Sequence, residues 1–276
     1  MPTLPSEEPR PPTGEPHEHR QVAESFGSDA ERYDRARPRY PQALVERIVS
    51  GSPGPDVLDL GCGTGIASRQ FQAAGCTVLG VDPDARMART ARRLGTEVEV
   101  ATAEAWDPAG RVFDTVVAAQ SWHWVDPVAG AAAVRRVLRP GGRFAAFWNT
   151  FQLPAEVARA TAAACRRTMP GSPFDFEAMT RPTADPYRPM LDKAADGFRE
   201  VGGFEEPAEW SFGWKWSCTR DTWLDVMPTQ GILTRLPADA LASVLDEVGA
   251  AVDALGGRFT MPCVTVAVTA LRTAPA

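Results

Sequence analysis

Apolar residues along the chain change rhythm at regular intervals. Five short apolar runs predict strands: "DVLDL" (56–60), "CTVLGV" (76–81), "EVEVAT" (97–102), "FDTVVAA" (113–119) and "RFAAFW" (143–148). Between them lie segments whose apolar positions recur every three or four residues, the spacing of one helix face. These are "IASRQFQAAG" (66–75), "DARMARTARRLG" (84–95) and "PVAGAAAVRRVL" (127–138). Strands separated by helices pair in parallel, so the expected class is α/β, a doubly wound sheet with helices on both faces. Further on, "ADALASVLDEVGAAVDALGG" (238–257) carries Leu241, Val244, Leu245, Val248, Val252 and Leu255 on one face. "CVTVAVTAL" (263–271) alternates cleanly and is expected as an antiparallel C-terminal strand.

The flanks are less regular. Residues 1–22 are rich in proline and charge, a composition that cannot bury enough apolar surface to offset the entropy of ordering, and are expected to be a disordered tail. Residues 23–272 are expected to form one domain. Within it, 23–50 form N-terminal lid helices, 55–150 a ligand-binding half, 151–232 a cap and strand, and 233–272 the closing helix and strand. "SDAE" has capping-box spacing, with Ser28 as N-cap and Glu31 three positions on. Pro38 should end that helix, and Pro41 suits the first turn of the next, with Gly51 as its C-cap. "PAEVARATAAACRR" (154–167) is helical, 170–190 reads as a proline-rich excursion, and "EWSFGWKWS" (209–217) as a strand.

Composition narrows the function. A formal net charge of −6 offers no general attraction to phosphate backbones, which counts against nucleic acid as a partner. The five cysteines, Cys62, Cys76, Cys165, Cys218 and Cys263, are scattered and form no CxxC pair, so neither a disulfide framework nor a zinc site is expected. There is no apolar window long enough for a membrane span and no apolar core of a signal peptide, so a cytoplasmic protein is expected.

The chemistry concentrates after the first strand. "DLGCGTGIA" joins that strand to a helix, and glycines there let the backbone turn tightly and bring helix-start amides to a ligand. A dinucleotide fingerprint, GxGxxG, would need glycine at 66, where Ile66 stands. Asp82 ends the second strand, placed to accept hydrogen bonds from two ribose hydroxyls.

With these residues in view, "VLDLGCGTG", "VDPD", "ATAEAWD", "FDTVVAAQSWHW" and "RVLRPGGRFAAFW" together resemble class I S-adenosylmethionine-dependent methyltransferases. They are most similar to the methyltransferase-11 group that includes trans-aconitate methyltransferase-like proteins. "FGSDAERYDRARPRYP", "CTRDTWLDVMPTQG" and "GGRFTMPCVTVAVTALR" extend the resemblance over roughly residues 25–272. It implies a Rossmann-like fold, S-adenosylmethionine as methyl donor and a small organic acceptor. Oxygen is favoured over nitrogen or carbon, with a place in specialised metabolism. It implies further that Gly61, Gly63 and Gly65 line the methionine part of the cofactor. Asp82 would bind the ribose, with Pro83 against the adenine and Ala103 and Glu104 bordering it. Gln120 would lie beside the methionine moiety. Asp59 would either orient the glycine loop or meet the cofactor's amino group. Glu104 would act through its backbone or its side chain. A nicotinamide-dependent oxidoreductase, and a cofactor-binding protein without methyl transfer, are the alternatives.

"SWHWVD" (121–126) follows the fourth strand, at the carboxyl ends where such sheets bind ligands. His123 is the candidate catalytic base, since an imidazole near neutral pKa can accept a proton from an acceptor. The alternative is a ring that caps a helix, fills a wall or bonds Gln120. Trp122 and Trp124 are candidate substrate walls able to cradle a cationic sulfur. Residues alternating in an extended segment cannot all face one pocket, so at most one or two of the three should line it. Asp126, before Pro127, is the expected N-cap of the next helix. Tyr33 and Arg37, four apart on one helix face, are candidate cofactor contacts from the lid, a surface ion pair being the alternative for Arg37. Tyr40 is a candidate substrate contact from the same lid, and the run 170–190 is expected to build the substrate side. Trp214 and Trp216 are expected to be the packed face of an edge strand. His17 and His19 lie in the tail, where solvated side chains are expected rather than a metal site. No metal is expected in the site.

Overall fold

A computed structural model describes residues 25–172, 175–180 and 187–274. The expected tail at 1–22, with His17 and His19, lies outside the described residues, as does part of the excursion at 170–190.

A 3₁₀ turn, Phe26–Asp29, leads into α1 (Ala30–Ala36) and then α2 (Gln42–Ser50). The alternating core follows: β1 (Asp56–Leu60), α3 (Ile66–Ala73), β2 (Thr77–Asp82), α4 (Ala85–Arg93) and β3 (Glu97–Val100). It continues with β4 (Phe113–Ala119), a 3₁₀ turn at Trp122–Trp124, α5 (Pro127–Val137) and β5 (Leu138–Phe151). The remainder is α6 (Ala155–Thr168), α7 (Arg188–Val201), β6 (Ala208–Thr219), α8 (Arg220–Val226), α9 (Ala238–Ala254) and β7 (Arg258–Leu271).

The seven strands form one sheet in the order β3-β2-β1-β4-β5-β7-β6. β1 to β5 pair in parallel; β7 inserts antiparallel between β5 and β6, which makes β6 the edge. Successive side chains of a strand point to opposite faces, and both faces are filled. Leu58, Leu60, Val116, Ala118, Phe144 and Trp148 pack on one face with α5 and α7. Val57, Val78, Val117, Ala145 and Phe147 pack on the other with Leu44, Val45 and Ile48 of α2 and Phe71 of α3. A separate apolar cluster joins α6, α8 and α9 to β7.

Some local expectations are corrected. Asp29, not Ser28, caps α1: its carboxylate accepts from the Arg32 backbone N–H, while Ser28 donates to the Ser25 carbonyl inside the preceding 3₁₀ turn. That turn places Ser28 one residue too early for the capping box. The third strand stops at Val100, and "AT" leaves the sheet. The helix α7 was not expected from the sequence, because Pro189 and Gly197 break its pattern. Pro189 stands in the first turn, where its missing N–H costs nothing. Gly197 lets α7 approach the start of α5, since a Cβ there would meet the Pro127 carbonyl oxygen at 2.4 Å. Gly51 does cap α2, and Asp126 caps α5 by accepting from Val128 and Ala129 N–H.

Candidate active site

β1 lies between β2 and β4, so the connections leave the sheet in opposite directions on either side of it. The crevice beyond the carboxyl ends of strands at such a point is where doubly wound sheets bind ligands. Here it holds a cavity of about 340 Å³, bordered by Gly61, Gly63, Asp82, Pro83, Ala103, Glu104, Gln120, His123 and Trp124. Phe26, Tyr33 and Arg37 from the N-terminal segment, and Tyr187 and Met190 at the start of α7, complete the wall.

The floor is a hydrogen-bonded knot. One Asp82 oxygen accepts from Gly63 N–H at 2.8 Å and the other from Asp84 N–H at 2.9 Å. Burial pushes the Asp82 carboxyl up to about 6, against those two amide bonds. Gly63 has φ +56°, and a Cβ built on it would meet no protein atom within 4 Å, so a ligand can lie against the bare backbone. Gly65 differs. It is the left-handed N-cap of α3, and a Cβ there would strike Thr96 Oγ1 at 2.7 Å. It lies outside the cavity wall, which corrects its expected place beside the methionine moiety. Its role is to turn the chain and let α3 close on Thr96.

Asp59 is fully buried behind the loop. One oxygen accepts from Ser68 Oγ at 2.6 Å, and the other, Oδ1, has no protein partner among the described residues. Burial is the main cause of its carboxyl rising to about 7. Asp59 therefore supports the loop from beneath and does not border the cavity directly.

Gln120 has φ +59°, a conformation an L-residue adopts at a cost of about 1–3 kcal/mol. Its backbone N–H reaches Phe147 O at 2.9 Å, and its amide leans to Asn149 O at 3.4 Å. Ser121 Oγ donates to Leu60 O at 2.6 Å, which ties the loop after β4 to the end of β1. Glu104 accepts from the Asp126 backbone N–H at 3.2 Å, so its side chain holds this loop as well as bordering the cavity.

The roof is aromatic. Phe26 packs edge-on against Tyr33, with centroids 6.0 Å apart, and against Trp124 at 6.5 Å. The Arg37 guanidinium lies 4.9 Å from the Tyr33 centroid, and its Nε donates to Thr229 Oγ1 at 2.9 Å while Nη2 donates to the Thr229 carbonyl. Arg37 is thus held to the C-terminal part of the chain rather than in a surface ion pair. Arg69, unexpected from the sequence, bridges lid and loop: it donates to Asp34 of α1 at 2.5 Å and to the Thr64 carbonyl at 2.7 Å.

In "SWHWVD", two of the three rings border the cavity and one does not. Trp122 is buried in the core against Phe144 and Phe198, so it is no substrate wall. The 3₁₀ turn, rather than an extended segment, sends it inward. Trp124 and His123 border the cavity. His123 Nδ1 accepts the indole N–H of Trp148 at 3.1 Å, not a bond from Gln120, and burial lowers its pKa to about 4. Both effects oppose the base role expected of it. Tyr40 also departs from expectation. It lies outside the cavity wall, its ring 4.8 Å from that of Phe147, with its backbone bonded in both directions to the Gln70 amide. Trp214 donates to Thr265 Oγ1, and Trp214 and Trp216 pack on the C-terminal cluster, as an edge-strand face should.

Tyr187 and Met190 come from the run 170–190 expected on the substrate side, and both border the cavity. Phe26 and Met87, which also border it, and Trp148, which bonds His123, are not among the expected residues. Phe26 stands at the head of the entry motif; Met87 and Trp148 arrive by tertiary packing. Among the described residues no cluster of His, Cys, Asp and Glu could hold a metal, and no helix is long and apolar enough to cross a membrane.

Residues 58–146 match the family model described as a methyltransferase domain. An uncharacterized methyltransferase of Mycobacterium tuberculosis is 39% identical over 133 residues, covering 48% of this chain and 54% of that protein. A ubiquinone biosynthesis O-methyltransferase of Agrobacterium fabrum is 32% identical over 162 residues, covering 55% of this chain and 63% of that protein. The chain thus spans about half the length of the curated relatives it matches. Among solved structures, one from Anaeromyxobacter dehalogenans presented as a type II methyltransferase is 28% identical, with a TM-score of 0.56, over 87% of this chain and 99% of that one.

Proposed function

We propose that this chain, which belongs to the class I methyltransferase family, transfers a methyl group from S-adenosylmethionine to a small organic acceptor. Oxygen is the favoured acceptor atom, and specialised metabolism the favoured setting. The observation that carries this reading is Asp82. It is a buried carboxylate at the end of β2, with both oxygens already aligned by the Gly63 and Asp84 amides and facing a cavity beside a bare glycine backbone. Each carboxylate oxygen can accept a second hydrogen bond, which suits the two neighbouring hydroxyls of a ribose.

Other features of the cavity fit the same ligand. Gly63 leaves room where a side chain would intrude. The orphaned Asp59 Oδ1 beneath the loop suits an amino group or a water that bridges to one. Pro83, Ala103 and Met87 offer apolar surface for a base. Phe26, Tyr33 and Trp124 offer ring faces that attract a cation. S-adenosylmethionine, when bound, supplies a methyl group on a cationic sulfur. The residues of this chain align donor and acceptor and keep water from the reacting atoms under the aromatic roof.

Calorimetric titration with S-adenosylhomocysteine tests the assignment. Asp82→Ala should weaken binding by at least tenfold, since hydrogen bonds to a charged group contribute about 1.5–3 kcal/mol. Unchanged affinity removes the ribose contact. Binding of NADH with no affinity for S-adenosylhomocysteine would instead favour an oxidoreductase.

A further inference from the structure

The ring of His123 is fixed from one side. Trp148, in β5, donates its indole N–H to Nδ1 at 3.1 Å. An indole nitrogen can only donate, so Nδ1 presents a lone pair and the ring proton resides on Nε2. The Trp148 bond to Nδ1 is the ring's hydrogen bond among the described residues, which leaves Nε2 free to meet a ligand, and the ring borders the cavity. A second proton on the ring would have to enter between Nδ1 and the indole N–H, donor against donor.

We infer that His123 is a fixed hydrogen-bond donor, offering Nε2–H to the bound acceptor molecule, and that it takes no proton during transfer. The identity of the ligand rests on the methyltransferase reading above; the tautomer does not. Burial favours the same neutral form, lowering the pKa to about 4. The other titratable or charged groups around the cavity are Tyr33 of α1, Arg37 just after it, Asp82 at the end of β2, Asp84, Glu104, and Tyr187 before α7. Asp82 and Asp84 are engaged by backbone amides, and Glu104 by the Asp126 N–H.

The substrate class follows from the donor. The acceptor needs an oxygen or nitrogen lone pair that can receive Nε2–H. Its reacting atom must be nucleophilic at neutral pH without help from His123, as an ionised oxygen acid or an unprotonated amine is. The acceptor lone pair then forms the bond to the methyl carbon as the carbon–sulfur bond breaks and leaves its electron pair on sulfur. Any surplus proton on an amine passes to water.

Long-range ¹H–¹⁵N correlation on the labelled full chain reads the tautomer directly. The chain has only three histidines, so loss of one signal set in His123→Gln assigns it. The expected result is a neutral Nε2–H imidazole from pH 5 to 8, with and without S-adenosylhomocysteine. A Nδ1–H pattern, or titration near 6.5, overturns the inference. Because this measurement needs no turnover, it stands apart from failure to find a methylated product.

Once an acceptor is identified, kinetics give a second arm. Gln can place an N–H near the position of Nε2, so His123→Gln should keep kcat within a few-fold. His123→Ala should raise KM for the acceptor by up to about tenfold, the scale of one neutral hydrogen bond. A loss of 100-fold or more in kcat for both variants indicates a base and overturns the inference. Trp148→Phe removes the donor facing Nδ1, so the Nδ1–H tautomer should gain population in the ¹H–¹⁵N spectra; a tautomer ratio unchanged by the substitution also overturns the inference.

Discussion

Asp59 shows how a single buried group can oppose stability and serve binding. Its carboxyl is raised from 3.8 in a free chain to about 7 in the fold, chiefly by burial. A raised acid is harder to ionise folded than unfolded, so the free protein loses stability as pH rises from about 4 to about 7 and no more above that. Asp59→Asn keeps the partner of Ser68 and cannot ionise. Its melting temperature relative to wild type should therefore climb between pH 4 and 7 and then level off, as differential scanning calorimetry of the cofactor-free protein would record. The same variant should bind S-adenosylhomocysteine more weakly at pH 8, because the negative charge beneath the glycine loop, which attracts the ligand's amino group without touching it, is gone. A pH-independent stability difference would mean that Asp59 titrates as an ordinary exposed carboxyl. The residue type and place were legible in the sequence, as an acid two positions before the first glycine. The raised pKa was not, because it depends on the layers of β1 and α3 that bury the group, against the Ser68 bond that lowers it.

At the scale of elements, the lid is held by polar ties rather than by a continuous apolar face. Asp34 of α1 meets Arg69 of α3 with both side chains mostly shielded, at 16% and 22% exposure, and Arg69 passes the contact to the Thr64 carbonyl in the glycine loop. Arg35 reaches Asp225, and Arg37 reaches Thr229. These ties join the N-terminal segment to α3, α8 and Thr229 rather than to a strand, so breaking one should disturb that segment more than the core. Asp34→Asn keeps the shape and removes the charge. It should raise the dissociation constant for S-adenosylhomocysteine about three- to tenfold while lowering the melting temperature by less than about 4 °C, on the usual scale of 1 kcal/mol for a chain of this size. Equal loss of lid and core stability would place α1 in the global folding unit. Sequence periodicity foretold β1 to β5 and the helices between them, because each buries one regular face. It missed α7, whose apolar residues Leu191, Ala194, Ala195 and Phe198 are interrupted by the proline and glycine that let it nestle against α5. It also read the turn holding His123 as extended, and so sent Trp122 to the cavity rather than to Phe144 and Phe198. The roof and the Trp148–His123 pair are contacts between segments remote in sequence, and no local pattern encodes them.

Across the whole molecule, the cavity joins parts of the chain that lie far apart in sequence. β1, β2 and β4 supply its floor, the segment from Phe26 to Arg37 its roof, and Tyr187 and Met190 a wall from beyond β5. Arg37 extends the connection to Thr229, ahead of α9. A ligand that touches all of these surfaces favours the state in which they are docked, and the stabilisation follows from mass action. At a ligand concentration 100 times the dissociation constant, the gain is about 2.7 kcal/mol, or about 5–10 °C in melting temperature for a chain of this size. The gain should not be spread evenly. The central strands, already buried on both faces, open only with the whole fold, whereas the roof and the start of α7 can open locally. Hydrogen exchange with and without S-adenosylhomocysteine should therefore show its largest added protection in residues 26–37 and 187–191, with smaller changes in β4 and β5. Protection confined to the glycine loop and β2 would mean that the ligand engages the floor alone and that the N-terminal segment is not a lid. Protection at both remote segments would tie closure of the roof to occupancy of the floor, which is what an enzyme that must exclude water from a reactive methyl donor requires.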